Sequence, residues 1–311
     1  MLSWELLGAV VGAGLASGRE LASFFARYGV WSWAAIAAAM ITMVFAAQVR
    51  IPDAWRGRWM DRLWQLLLTL MLTITGGAML SGAGEVVSLM LPVHGAYWVG
   101  MAATLLSAWY LAYRTGAGLA WVSRLLACAM AMIIAAGWAL PPLQAVPLDA
   151  ARSWEAILRG VSYGGFNAVL LIPILRASGA CGRTQRRCIG VACTMLTVLI
   201  LLGNAVLLRH PALLTEELPF IRMMAYHGQT GYVLSGVCLY LAVLSTMTAC
   251  LRGIQGMRWA IAGMALTAAM GFSGAVDVLY PLLGGACLAM LIAAKLSIFF
   301  GNTFIRRDDM L

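Results

Sequence analysis

Apolar runs of about 20 residues, the length of helix that crosses a hydrocarbon core, follow one another along the chain, and most charged positions fall in the short connections between them. Reading the runs and their breakers predicts ten helical spans at about 3–26, 30–49, 63–91, 96–113, 116–139, 154–178, 186–208, 229–251, 256–273 and 277–301. The expected fold class is an all-α membrane protein, a single transmembrane domain over residues 1–311.

Composition agrees with the pattern. The chain is 62% hydrophobic and only 11% charged, with a mean hydropathy of +0.87, whereas a soluble domain carries roughly 25% charged residues. A soluble enzyme is therefore excluded. The seven cysteines show no CxxC spacing and mostly lie inside apolar runs, so they read as small core residues and not as a metal site. The first apolar run has no basic region before it and no small-residue cleavage signal, so no cleaved leader is expected.

Charge sets orientation. Arg50, Arg56, Arg58 and Arg62, then Arg114, then Arg183, Arg186 and Arg187, then Arg252 and Arg258, and finally Arg306 and Arg307 fall on one set of alternate connections. The other set mixes Arg27, Arg152, Arg209 and Arg222 with Asp149, Glu216 and Glu217. The positive-inside rule places both termini of a multi-pass protein in the cytoplasm. The net charge of +9 is then loop charge facing the lipid bilayer. No basic and aromatic stripe supports a nucleic-acid partner. The connection 209–228, with Pro211 and Pro219, is expected to fold over the outer mouth.

Two stretches break the helical pattern. "GAVVGAGLASGRE" (8–20) places Gly8, Gly12, Gly14 and Gly18 in span 1, and "SYGGFNAVLLIP" (162–173) places Gly164, Gly165 and Asn167 in span 6. Glycine costs about 1 kcal/mol relative to alanine in a helix interior. Two readings are open: close packing through small residues, or helices unwound near 12–17 and 162–167. Their separation by five spans favours unwinding, because paired interrupted helices at matching positions of two inverted halves point to a midplane site. The halves would be about 3–139 and 154–301.

The opening motif followed by Phe24 and Phe25 resembles the first helix of the YkvI-like family of bacterial membrane proteins and, more distantly, the LeuT-fold secondary transporters of the amino acid–polyamine–organocation group. The resemblance implies a protein of a bacterial cytoplasmic membrane and a LeuT-like 5+5 inverted repeat with helices 1 and 6 broken around a small-molecule site, lined here by Gly12, Ala13, Gly14, Ser17, Tyr163, Gly164, Phe166 and Asn167. It also implies a sodium site on helices 1 and 8, where Ala242, Ser245 and Thr246 match an A-x-x-[ST]-[ST] spacing and Gly8 and Val11 supply carbonyls. Neutral oxygens suit a hard cation, but such hydroxyls also commonly bond back to carbonyls one turn earlier. Where relatives with a second ion have asparagine, this chain has Leu15 or Ala16. In sodium-independent relatives a basic side chain on helix 5 replaces the ion, a role open to Arg124.

Charges inside spans are costly and mark function by default. Arg19, Glu20, Glu85, Arg159 and Asp277 all fall on the outer side of the midplane. The resemblance implies a charged pair between helices 1 and 10 across the outer vestibule, which makes Arg19 with Asp277 the leading gate pair, with Glu85 the competing partner and static neutralisation the plain alternative. Glu20 and Glu85 are the candidates for carrying a proton. His94, His210 and His227 lie in or beside connections, which argues against a histidine relay.

The expected function is secondary active transport, by alternating access, of a small solute such as an amino acid, a related zwitterion or an amine. It is sodium-coupled in one reading, and proton-coupled or uncoupled with Arg124 in the other. No cofactor beyond a possible sodium ion is implied. A membrane protease would need a histidine at serine depth or an HExxH motif, and neither occurs. A non-transporting sensor or scaffold of the same fold would be expected to lose the helix-8 hydroxyls and the outer charged pair. A pore lacks a recurring ring of charge.

Overall fold

The computed structural model describes residues 2–47, 58–114, 119–142, 153–179, 182–254 and 258–308. Among them every regular element is helical. Five helices are long and apolar enough to cross a membrane, at Ala26–Ala47, Arg62–Met90, Gly182–Arg209, Gly228–Gly253 and Phe272–Leu296. The class is therefore an all-α membrane protein. Arg50, Arg56, Asp149, Arg152 and Cys181 lie outside the described residues.

Span 1 comprises three pieces: α1 (Leu2–Val10), α2 (Ala13–Ser17) and α3 (Arg19–Phe24). A 3₁₀ turn at Ala26–Trp31 leads into α4 (Ser32–Ala47). The next four helices are α5 (Arg58–Met90), α6 (Ala96–Arg114), α7 (Leu119–Ala139) and α8 (Ser153–Ala177). After α9 (Gly182–Arg209) come a 3₁₀ turn at Pro211–Thr215 and the short α10 (Pro219–Ala225). The chain closes with α11 (Gly228–Gly253), α12 (Arg258–Ala268), α13 (Phe272–Gly274), a π-helical stretch at Ala275–Leu279, and α14 (Tyr280–Asp308).

The helices pack in two groups. In one, α1 and α4 lie against α8 and α9, with α14 on α8 and α7 on α1. In the other, α5 packs against α6, α11 and α12, and α6 against α11. The groups meet where α2 rests on α11 and where α3 rests on the π-helical stretch.

The expected break in span 6 is absent: α8 is one continuous helix from Ser153 to Ala177. Its glycines are used for approach. A methyl group at Gly160 or Gly164 would overlap the carbonyl oxygens of Ala35 or Ala39 on α4, and one at Gly165 would sit 2.6 Å from the Gly284 carbonyl oxygen of α14. In turn a methyl at Gly284 would overlap the Ser162 carbonyl. In lipid, helices associate through such close contact because apolar side chains gain little by leaving the tails. Tyr163, Gly164, Phe166 and Asn167 therefore do not form an unwound strand, and Gly164 faces α4.

Candidate functional site

Span 1 is interrupted at two points, of which only the second requires glycine. The Val11 amide still bonds to the Leu7 carbonyl at 2.8 Å, but the Gly12 amide turns back to the Val10 carbonyl at 2.7 Å. That deprives the Gly8 carbonyl of its helical donor. Gly12 is extended, with φ −83° and ψ −172°, and the α-helical ladder resumes with the Ala16 amide on the Gly12 carbonyl at 3.0 Å. A second interruption follows at Gly18, whose φ of 83° lies in the left-handed region that glycine enters without steric cost. The expected unwound segment is thus two point breaks flanking one helical turn, and residues 13–17 are helical. Ser17 stabilises the second break: its hydroxyl donates to the Gly14 carbonyl at 2.8 Å and accepts the Arg19 amide at 3.1 Å.

The second break sends Arg19 and Glu20 into the protein in different directions. Arg19 forms an ion pair with Asp277 and donates to the backbone carbonyls of Glu216 at 3.0 Å and Leu214 at 3.4 Å. Glu85 has no bond to Arg19. Asp277 lies in the π-helical stretch, where the ladder is locally re-registered, and its carbonyl accepts from Arg159 at 2.7 Å. Glu217 secures the other end of this connection, accepting the Ser273 hydroxyl at 2.6 Å and amide at 3.0 Å. The connection 209–228 therefore covers this end of the bundle, with Phe220, Ile221 and Met223 buried and the Phe220 ring against Gly18. The π stretch and the Arg159 contact had no signal in the pattern of apolar positions.

The helix ends beneath this lid are served by its histidines. His227 Nε2 meets the Ala136 carbonyl at 3.0 Å and His210 Nε2 the Gly137 carbonyl at 3.4 Å, both in the last turn of α7. Burial lowers the proton affinity of His210 below its ordinary value of 6.5. The Arg209 charge acts the same way, and the Gly137 carbonyl partly offsets both.

Glu20 is 7% exposed, and its Oε2 has no hydrogen-bond partner. The carboxyl lies against Gly14, where a side chain of any kind would overlap it. Near it converge Tyr163 from α8 and Tyr280 from α14, with Thr75 from α5 beside Tyr280. The Tyr163, Tyr280 and Thr75 hydroxyls are likewise buried without completed hydrogen bonds. Aromatic rings close the surroundings: Phe24 and Phe25 each meet Tyr163 edge-on at 5.1 Å, and Phe166 stacks on Tyr280 at 4.5 Å. Asn167 is turned away from any ligand role at its amide nitrogen, which donates to the Tyr163 carbonyl of its own helix at 3.0 Å.

Of the residues expected to hold sodium, Ala242, Ser245 and Thr246 share one turn of α11, and the helix-1 residue seen against them is Gly12, not the expected Gly8 or Val11. Gly12 lies against Thr246, its Cβ position 3.3 Å from Thr246 Oγ1, so the break of helix 1 does face the helix-8 hydroxyls. However, Ser245 and Thr246 donate to the Ala242 carbonyl at 2.9 and 3.0 Å, the back-bonded arrangement. That carbonyl is saturated by two protons and is a poor fifth ligand, which leaves the hydroxyl lone pairs and the helix-1 carbonyls. Arg124 is half-buried, with its Nε unpartnered. Among the described residues no cluster of three or more His, Cys, Asp or Glu could hold a metal ion.

No protein-family model matches the chain, and no curated protein matches it.

Proposed function

We propose that the protein is a secondary active transporter of a small solute, an amino acid, related zwitterion or amine, that works by alternating access. The observation that carries this reading is the doubly interrupted span 1, buried at its breaks and closed over by a latch of Arg19, Asp277 and the 209–228 lid. Backbone freed from its helix at membrane depth is tolerated where it lines a cavity or is buried in protein, and a latch of few polar contacts is an element that can take two states. The grouping of helices adds support for two halves. A shift of five spans carries α1 and α4 onto α8 and α9, and α5 and α6 onto α11 and α12, so it maps each packing group onto itself. On this reading all ten spans cross a bacterial cytoplasmic membrane, the lid is external and both termini are cytoplasmic.

Sodium is the coupling ion this reading favours, on the contact of Gly12 with Thr246, with Arg124 as its competitor. The test is uptake of labelled amino acids and amines into proteoliposomes with and without a sodium gradient. Saturable uptake supports transport. Uptake that depends on sodium and loses that dependence in the Ser245→Ala/Thr246→Ala variant supports the ion site, whereas sodium-indifferent uptake assigns its place to Arg124. Absence of uptake for every amine and amino acid, with folded protein in the vesicles, would overturn the reading.

A further inference from the structure

The centre of the protein holds an acid with no counter-charge. Two ion pairs occur among the described residues, Arg19 with Asp277 and Arg222 with Glu216, and Glu20 is in neither. Its neighbour Arg19 is committed to the latch. Ionising a buried carboxyl without a counter-charge is expensive, and a cationic ligand would supply the missing charge.

We propose that Glu20 is the recognition carboxylate for a ligand's protonated primary amino group. Four buried polar groups converge there from four separate spans, Glu20 beside Tyr163 and Thr75 beside Tyr280, with no well-formed hydrogen bond at Glu20 Oε2, Thr75 Oγ1, Tyr163 OH or Tyr280 OH. A primary ammonium has three N–H donors and no acceptor, so it can satisfy the carboxylate and two hydroxyls together. The walls distinguish it from a metal ion. Sodium prefers a shell of hard oxygens, whereas here apolar rings border the polar groups, Phe24 and Phe25 packed against Tyr163 and Phe166 stacked on Tyr280, and such surroundings suit the carbon skeleton of an organic ammonium. Gly14 belongs to the same site, because only glycine lets the carboxyl lie against the helical turn between the two breaks. Ligand binding at Glu20 would thereby act directly on the element whose breaks define the transport reading. The proposal names the substrate class for that reading and rests on it for the word substrate, while the binding itself is measured without transport.

The experiment uses the full chain in detergent and follows thermal unfolding against added tyramine, tyrosine, N-acetyltyrosine, alaninamide, N-acetylalanine and sodium chloride. Ligands that bind only the folded protein raise its midpoint. The expected result is stabilisation by compounds with a free ammonium and none by the two N-acetyl compounds. Glu20→Gln should weaken the apparent affinity by about tenfold to a hundredfold, the range for a lost charge-assisted hydrogen bond. Gly14→Ala, which displaces the carboxyl without removing it, should weaken it similarly, and Tyr163→Phe less. Size-exclusion profiles identify any variant that fails to fold, and Tyr163→Phe, which removes one atom, keeps the comparison available. Stabilisation by N-acetyl compounds, by none of the amino compounds, or equally in Glu20→Gln overturns the proposal, as does a sodium effect that is lost in Glu20→Gln. Glu20-dependent binding with no proteoliposome uptake would refute transport and leave the site standing; uptake of amines undiminished in Glu20→Gln would do the reverse.

Discussion

Spans 1 and 6 carry glycine clusters of similar density, and they do opposite things with them. In α8, Gly160, Gly164 and Gly165 keep regular helical geometry and present bare backbone to the carbonyls of α4 and α14. In span 1, Gly12 and Gly18 leave helical geometry, and Gly14 makes room for the Glu20 carboxyl. The difference lies in what faces each glycine. A neighbouring helix backbone in direct contact rewards a continuous ridge of backbone, whereas a lid, a hydroxyl and a carboxyl leave the backbone free to turn. Glycine content therefore marks places where backbone comes close to something, and the neighbour decides whether the helix survives.

The comparison can be broken most decisively in α8. The Gly160→Ala/Gly164→Ala variant should lose roughly 2–6 kcal/mol of stability, two contributions of the about 1–3 kcal/mol typical of overpacking, read as a large drop in the detergent denaturation midpoint. A midpoint close to that of the unaltered protein would show that the contact with α4 is soft. On the span 1 side, the Arg19 and Asp277 pair is partly exposed, with side-chain exposures of 11% and 25%, so its coupling is expected at about 0.5–3 kcal/mol in a double-mutant cycle of Arg19→Gln and Asp277→Asn. Accessibility of a cysteine placed in the lid should rise in both single variants, and unchanged labelling would mean that the latch does not hold the lid.

Gly12→Ala sharpens the contrast at smaller cost. The extended φ and ψ of Gly12 suit any residue and its Cβ would be 3.3 Å from a single hydroxyl, so stability should change by about 1 kcal/mol or less while uptake slows. Stability falling as far as in the α8 variant would erase the distinction between the spans. The smallest effect concerns pH. Because folding lowers the proton affinity of His210, the unfolded chain binds the proton more readily, so stability is fully present above about pH 6.5 and declines as pH falls through the lower folded value. Midpoints measured from pH 7.5 to 5 should show this decline, and His210→Gln should flatten it.

Much of this arrangement was legible in residues. The windows read as spans are occupied by helices because apolar length and the need to satisfy every backbone group in lipid permit little else. Charges inside spans seek partners, and it was the family resemblance, with its pair between helices 1 and 10, that preferred Asp277 over Glu85 for Arg19. Glu20 and Tyr163 were both singled out, yet as gate and substrate contact, because the sequence carries no sign that the left-handed turn at Gly18 aims adjacent charged residues at different neighbours. Thr75 and Tyr280 were missed, being a lone hydroxyl and a lone ring within apolar runs that look like any others.

The all-helical membrane class, the composition, the candidate breaks and the list of charges inside apolar runs follow from the sequence alone, since each depends on a residue's own transfer energy or its local backbone freedom. Which glycine-rich span breaks, and which carboxylate is paired and which is left bare, were decided by tertiary structure. Those outcomes depend on the atom that packing brings opposite each group, and that atom comes from a helix up to 258 residues away, as Asp277 does for Arg19.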